Sequence, residues 1–118
     1  TARVHPGETP ASYAMEGVIN FLLQKDDLRA HLLRSMFVFM VVPMINVDGV
    51  FHGHFRMDIH GKNLNRFYIK PDIELQPAIY GIKSLAKHLI GSNRLSFYFD
   101  LHGHNAKKGC FIYGNAFS

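Results

Sequence analysis

Met36-Phe37-Val38-Phe39-Met40-Val41-Val42-Pro43 is the stretch on which the fold turns. It is an unbroken apolar run of strand length, rich in valine and phenylalanine and closed by a proline. A run without polar alternation predicts a strand covered on both faces, as in a parallel sheet. Upstream of it, Thr9-Pro10 marks a helix start, with threonine suited to capping free N–H groups and proline to the first helical position. Ala11, Ala14, Met15, Val18, Ile19, Leu22 and Leu23 then recur at helical spacing, which predicts a helix to about Gln24. Asp26 opens a short second helix ending near Arg34. Downstream, Gln76-Pro77 restarts the helical period through Ala78, Ile79, Ile82, Leu85, Ala86, Leu89 and Ile90, with Gly91 as a left-handed stop. Leu95, Phe97, Phe99 and Leu101 alternate with Ser96, Tyr98 and Asp100, the period of a strand, and residues 110–113 suit another. The order of helices and strands implies the α/β class.

A chain of 118 residues has room for one domain. With 47% hydrophobic and 19% charged residues it has the means to build a core and is unlike a disordered chain. No apolar run approaches the roughly 20 residues of a membrane span, and the start lacks a secretory layout, so no membrane role is expected. The lone Cys110 excludes a disulfide framework and suits a reducing compartment, which predicts a cytoplasmic location. The chain starts at Thr1 without an initiator methionine and reads as part of something longer. Its net charge of +4 suits acidic partners. Nucleic acid is not among those expected, because the basic residues are scattered and no aromatic-interleaved basic run occurs.

The long segment from Met44 to Glu74, rich in glycine, asparagine, aspartate and histidine, exceeds an ordinary connection and suggests function. Open parallel sheets bind ligands beyond the carboxyl ends of their strands. On that rule the segment from Asn46 to Arg66 and the His102-Gly103-His104 that follows Leu101 share one edge. If Val4-His5 also leaves a strand, all three clusters meet in a crevice. His5-Pro6-Gly7-Glu8 sets an imidazole and a carboxylate within reach of one divalent ion, and two histidines plus one glutamate form a recurrent zinc set with an open fourth position. His102 is the best-placed second histidine. Ordinary hydrogen-bonded loop histidines explain the same spacing equally well. Asn46-Val47-Asp48-Gly49 has turn chemistry and reads as structural. Arg56 and Asn65-Arg66 offer planar forks for a carboxylate or an oxyanion, although loop arginines more often face solvent. His31 and His88 read as helix-surface residues. His52, His60 and His104 flank the proposed site with no rule to select one, and Lys107-Lys108 reads as a solvated pair.

Taken in order, the His-x-x-Glu of residues 5–8, Asn46-Val47-Asp48-Gly49, Gly53-His54-Phe55-Arg56, Asn63-Leu64-Asn65-Arg66 and Asp100-Leu101-His102-Gly103-His104 resemble the zinc metallocarboxypeptidases of the carboxypeptidase A-like superfamily. The stretches 2–9 and 100–108 look like the cytosolic carboxypeptidase branch. The resemblance implies a mixed, mainly parallel β-sheet flanked by helices, with residues 1–118 forming the N-terminal part of a catalytic domain truncated at both ends. It implies one zinc ion per chain, held by His5, Glu8 and His102. It further implies that Asn65 and Arg66 hold the substrate's terminal carboxylate and that Arg56 polarises the scissile carbonyl. The implied activity is hydrolysis of C-terminal or side-chain-branch glutamates from acidic protein tails, those of tubulin included.

The departures from the family pattern carry their own expectations. Asn63 stands where the family usually has an aspartate behind the first zinc histidine; an amide still accepts a hydrogen bond but adds no charge, so zinc affinity is expected to fall. His54 replaces the usual asparagine in the loop that presents Arg56, and Val47 replaces a proline. The family's general-base glutamate and substrate-binding tyrosine would follow Ser118, and Glu16 and Glu74 suit helix positions instead. Nothing corresponds to the β-rich domain that precedes the catalytic one in this branch. The 118 residues alone are thus expected to be incomplete for catalysis. The competing reading is a non-catalytic derivative that binds zinc or peptide carboxylates.

Overall fold

The computed structural model describes residues 1–115. The last three positions of the expected 1–118 unit lie outside the described residues. The helices come in the order α1 (Pro10–Leu22), α2 (Leu28–Met36), α3 (Val47–Phe51) and α4 (Pro77–Gly91), with a 3-10 turn, Leu64–Arg66, between the last two.

α1 begins with Pro10 in its first turn, where the missing N–H costs nothing. Thr9 does not cap it as expected. Its backbone is already helical (φ −53°, ψ −33°) and its side chain accepts no capping bond. The start is held by backbone bonds instead, Ala11 N to Glu8 O at 3.1 Å and Ser12 N to Thr9 O at 3.0 Å. The buried stripe of α1 is narrower than the periodicity suggests: Ala11, Met15 and Leu22 are buried and Ile19 half-buried, while Ala14, Val18 and Leu23 face solvent. α2 packs on α1 and starts one residue later than expected. Asp27, not Asp26, is its cap, accepting from Arg29 N at 2.8 Å and Ala30 N at 3.4 Å. Arg34 then donates to Leu22 O and to Gln24 O, stitching α2 to the end of α1.

α4 matches its expected span. Ile79 is its fully buried residue, with Ile82, Leu85, Ala86 and Leu89 half-buried. Gly91 closes the helix without taking a left-handed conformation; that role falls to Asn93, at φ 53°. Asparagine is one of the few side-chain residues that tolerate this region.

The expected sheet is not formed among the described residues. α2 runs through Met36 and Phe37 after it is extended, but the rest of the apolar run, 37–42, belongs to no helix or strand; nor do 95–100 and 110–113. The pairing is confined to a short junction. Ala2 N donates to Val42 O at 3.0 Å and Ile45 N to Ala2 O at 3.0 Å, while Leu101 N donates to Thr1 O at 3.0 Å, giving one parallel bridge, Ala2 to Leu101. The two apolar runs are therefore second neighbours, separated by residues 1–3. A ladder grows by consecutive backbone pairs, and here the runs meet through side chains instead, as in the edge-to-face Phe37–Phe97 pair at 5.8 Å. Val38, Phe39, Met40 and Val41 are exposed rather than covered on both faces.

Two small cores lie on either side of the junction. Val4, Ile45, Leu64 and Ile79 form one, with Val42, Tyr68 and Ile82 packed against it. Ala2, Ala11 and Met15 form the other, with Ile19 and Leu101. The backbone from Ala2 to Val4 thus threads between them and fixes where the next residue, His5, emerges. Arg3 sits in the left-handed region at φ 58°, and its guanidinium donates to Pro6 O at 2.8 Å and Ser12 Oγ at 2.6 Å, which holds that turn in place.

Candidate metal centre

His5 is 2% exposed and leaves the first core directly after buried Val4. The Pro6-Gly7 turn then returns the chain so that Glu8 faces the same imidazole. This turn docks on the loop that bears Arg56: Gly7 N donates to Phe55 O at 2.7 Å. Only glycine fits there, since a Cβ on Gly7 would lie 2.6 Å from Phe55 Cδ2 and 2.7 Å from Phe55 O. On the opposite side the 101–103 segment arrives beside the bridge at Leu101. Gly103 N donates to Glu8 Oε2 at 2.9 Å, a close approach that leaves a Cβ on Gly103 only 3.3 Å from that of Glu8.

The outcome is a convergent triad. His5, Glu8 and His102 each offer a ligand atom, all within 4.8 Å of one another. Glu8 spans the two rings, with Oε1 2.8 Å from His5 Nδ1 and Oε2 3.1 Å from His102 Nδ1. The far nitrogens are tied back: His5 Nε2 lies 3.0 Å from Asn63 Oδ1 and His102 Nε2 2.7 Å from Asp100 Oδ2. Asn63 Oδ1 also accepts from Asn65 N at 3.2 Å, which fixes it as the oxygen end of the amide. His5 Nε2 must then carry the proton, and Nδ1 presents a lone pair toward Glu8. That buried Nδ1 has no hydrogen-bond partner among the described residues, although Glu8 Oε1 is 2.8 Å away. The two atoms are close but misaligned for a hydrogen bond. Two lone-pair donors aimed at a common point, rather than at each other, suit a divalent cation.

The two histidines differ in environment. The hydrogen bond to Asp100 raises the His102 imidazole above the ordinary histidine range against the pull of desolvation, and the charges of Asp100 and Glu8 add to it. For Asp100, burial pushes the carboxyl up, but hydrogen bonds from His102 and Thr1 outweigh it and hold it below the ordinary range.

Arg56 reaches the triad, with one guanidinium nitrogen 3.4 Å from Glu8 Oε1, and is 40% exposed. An open cleft of about 520 Å³ runs along its loop, lined by Phe55, Arg56, Met57 and Asp58 among others. Asn65 and Arg66 lie on the 3-10 turn that follows Asn63. Neither side chain is hydrogen-bonded to the triad among the described residues. Asn65 contributes its backbone N–H to Asn63, and Arg66 donates to Asn65 O at 3.3 Å.

Sequence reasoning missed two residues of this site. Asp100 reads in sequence as one polar position of an alternating strand, yet its i, i+2 relation to His102 puts both on one side of the extended backbone. Asn46, expected in a turn, instead caps the helix α3, and it also joins three segments. Its Oδ1 caps α3 through Gly49 N at 3.0 Å, and its Nδ2 lies 3.2 Å from Val4 O and 3.3 Å from Met57 O. It therefore ties the backbone before His5 to the Arg56 loop.

A family profile described as zinc carboxypeptidase matches residues 1–83. The chain belongs to the zinc carboxypeptidase family. It is 45% identical over 117 residues to Cytosolic carboxypeptidase 6 of Caenorhabditis elegans, covering 98% of this chain and 25% of that protein. It is 53% identical over 95 residues to Cytosolic carboxypeptidase-like protein 5 of Danio rerio, covering 80% of this chain and 11% of that one. Among solved structures, a metallo-carboxypeptidase from Burkholderia cenocepacia superimposes with a TM-score of 0.77 at 36% identity, over 87% of this chain and 27% of its own. The chain spans a quarter or less of the length of the curated relatives it matches. The zinc carboxypeptidases are hydrolases and Zn²⁺ is the family's metal, which the donor set of His5, Glu8 and His102 fits. Among the described residues no helix is long and apolar enough to cross a membrane.

Proposed function

We propose that this chain carries the zinc-binding part of a cytoplasmic metallocarboxypeptidase that removes C-terminal or branch-point glutamates from acidic protein tails, those of tubulin included. One observation carries the reading: both Nδ1 atoms lie within 3.1 Å of one glutamate's oxygens while both Nε2 atoms are tied back to side-chain oxygens. His5, Glu8 and His102 hold one zinc per chain, and zinc supplies Lewis acidity and an activated water. Asn63 orients His5. Arg56, half-exposed and touching Glu8 by a single nitrogen among the described residues, has N–H donors left for a carbonyl oxygen that becomes negative as water adds to the carbonyl carbon. Asn65 and Arg66 grip the terminal carboxylate from the turn next to Asn63, where a planar guanidinium matches two oxygens at once. The surplus of 13 Lys and Arg over 9 Asp and Glu favours acidic substrates, and the names of the relatives support the location.

The test combines elemental analysis of the full-length protein with mass spectrometry of peptides ending in glutamate, in a branched glutamate, or in leucine or lysine. The expected result is about one zinc per chain and release of glutamate alone, stopped by a chelator. Bound zinc without release of any residue would favour a non-catalytic carboxylate-binding derivative, a reading to which the neutral Asn63 lends some support. Absence of zinc would overturn both.

A further inference from the structure

We propose that Asp100 is the positioning residue of this metal centre, and that the carboxylate support usually given to the first histidine acts here through the second. The inference rests on the zinc reading above. The two imidazoles are held in the same way, each with Nε2 turned outward and Nδ1 turned toward Glu8, but by partners of different charge. Behind His5 stands the neutral amide of Asn63, at 3.0 Å; behind His102 stands the carboxylate of Asp100, at the shorter 2.7 Å. A carboxylate behind a ligating imidazole fixes its orientation and makes it a stronger donor, whereas an amide does only the first.

Asp100 is built into the fold rather than left as a surface charge. Its second oxygen accepts from Thr1 Oγ1 at 2.7 Å, so both oxygens are engaged and the plane of the carboxylate is set. Thr1 Oγ1 lies in turn 3.0 Å from Tyr98 Oη, and Leu101, between Asp100 and His102, forms the parallel bridge to Ala2. The half-buried Tyr68 hydroxyl is close enough to feel the Asp100 charge, which adds to burial in pushing it above the ordinary tyrosine range. This hydrogen-bonded set joins the backbone that carries His102 to the residues that lead into His5.

The test measures zinc affinity of the full-length protein by competition with a chromophoric chelator, and the visible absorption of the Co²⁺-substituted form. Asp100→Ala is expected to weaken zinc binding by about 10- to 100-fold and to change the Co²⁺ spectrum. Asp100→Asn keeps the acceptor and loses the charge, so its Co²⁺ spectrum stays near that of the parent while affinity falls by a smaller factor. Asn63→Asp placed on Asp100→Asn is expected to restore affinity, because it returns one carboxylate to the pair of imidazoles. A purely structural role for Asp100 would not lower affinity in Asp100→Asn while leaving the Co²⁺ spectrum in place. Should Asp100→Ala fail to fold, Asp100→Asn with and without Asn63→Asp decides the matter. Zinc affinity equal to the parent in a folded Asp100→Asn, or no gain from Asn63→Asp, overturns the proposal. The two failures are distinguishable. If the parent binds zinc and His5→Ala does not, loss of the Asp100 effect sinks this inference alone; if the parent binds none, the zinc reading falls first.

Discussion

Around His5 the side chains close on one another: Glu8, Asn63, Asp100, His102 and Arg56 come from four separate stretches of chain and meet within hydrogen-bond or ion-pair distance. The apolar runs at 37–41 and 95–99 do the opposite. Val38 is 85% exposed, and Phe97 and Phe99 also face solvent. Polar convergence at the site needs only a few fixed backbone points, which Ala2, Val4 and the bridge at Leu101 supply. Burying an apolar run needs a partner for its backbone and a cover for each face, and among the described residues the backbone bonds between these runs and residues 1–3 lie at Val42, Phe99 and Leu101.

The largest effect that would break this contrast is loss of the metal. His5→Ala or His102→Ala is expected to remove zinc from the full-length protein, taking its content from about one to near zero per chain, since two protein ligands rarely hold a catalytic zinc. Elemental analysis after dialysis is the measurement. Retention of zinc in either variant would mean that the triad is a hydrogen-bonded cluster and nothing more.

Next in size is the support beneath the site. Ile79 is fully buried against Val4, Ile45 and Leu64. Ile79→Ala should cost about 2–5 kcal/mol by lost burial and the cavity left behind, read as a shift of the denaturant midpoint. Because Val4 precedes His5, zinc affinity should weaken with it. Unchanged affinity in the folded variant would show that the site is held by its own hydrogen bonds and not by this core.

Arg66→Ala tests the side of the site that the structure does not join to the triad. Zinc should stay bound, since Arg66 hydrogen-bonds only Asn65 O among the described residues. A lost charged hydrogen bond to the substrate's carboxylate is worth about 1.5–3 kcal/mol, so kcat/KM for a glutamate-ending peptide should fall roughly 10- to 100-fold. Zinc loss equal to that of His5→Ala would place Arg66 in a role the geometry gives no hint of.

What the sequence made legible follows the same division. The triad could be read because its residue types are rare in combination and their order along the chain is informative, even though spacing alone left ordinary loop histidines as an equal account. α1, α2 and α4 were legible from period, capping residue and proline, to within a residue or two at the ends, whereas α3 was read as a turn. Asp100 was not, because an alternating strand needs polar residues on one side and gives no sign that one of them faces an imidazole. The expected sheet does not appear among the described residues, for a related reason. An apolar run reports what a segment prefers to bury and says nothing about whether a neighbour lies alongside; at Val42 and Leu101 the backbone bonds seen among the described residues are those to Ala2 and Thr1.

The smallest effect should come from Val38→Lys in the 118-residue chain. With the side chain in solvent, stability should change by no more than about 0.5 kcal/mol, as read from thermal melting. Self-association should still fall, because a charge on an unpaired extended segment opposes strand addition, and light scattering against concentration would register it. If the same substitution in the full-length protein costs several kcal/mol, the run is buried there on the face that carries Val38. The sequence reading of a covered strand would then hold for the whole protein, and the contrast drawn here would belong to these 118 residues alone. An equally small cost in both would mean that the run is an exposed edge in the whole protein as well.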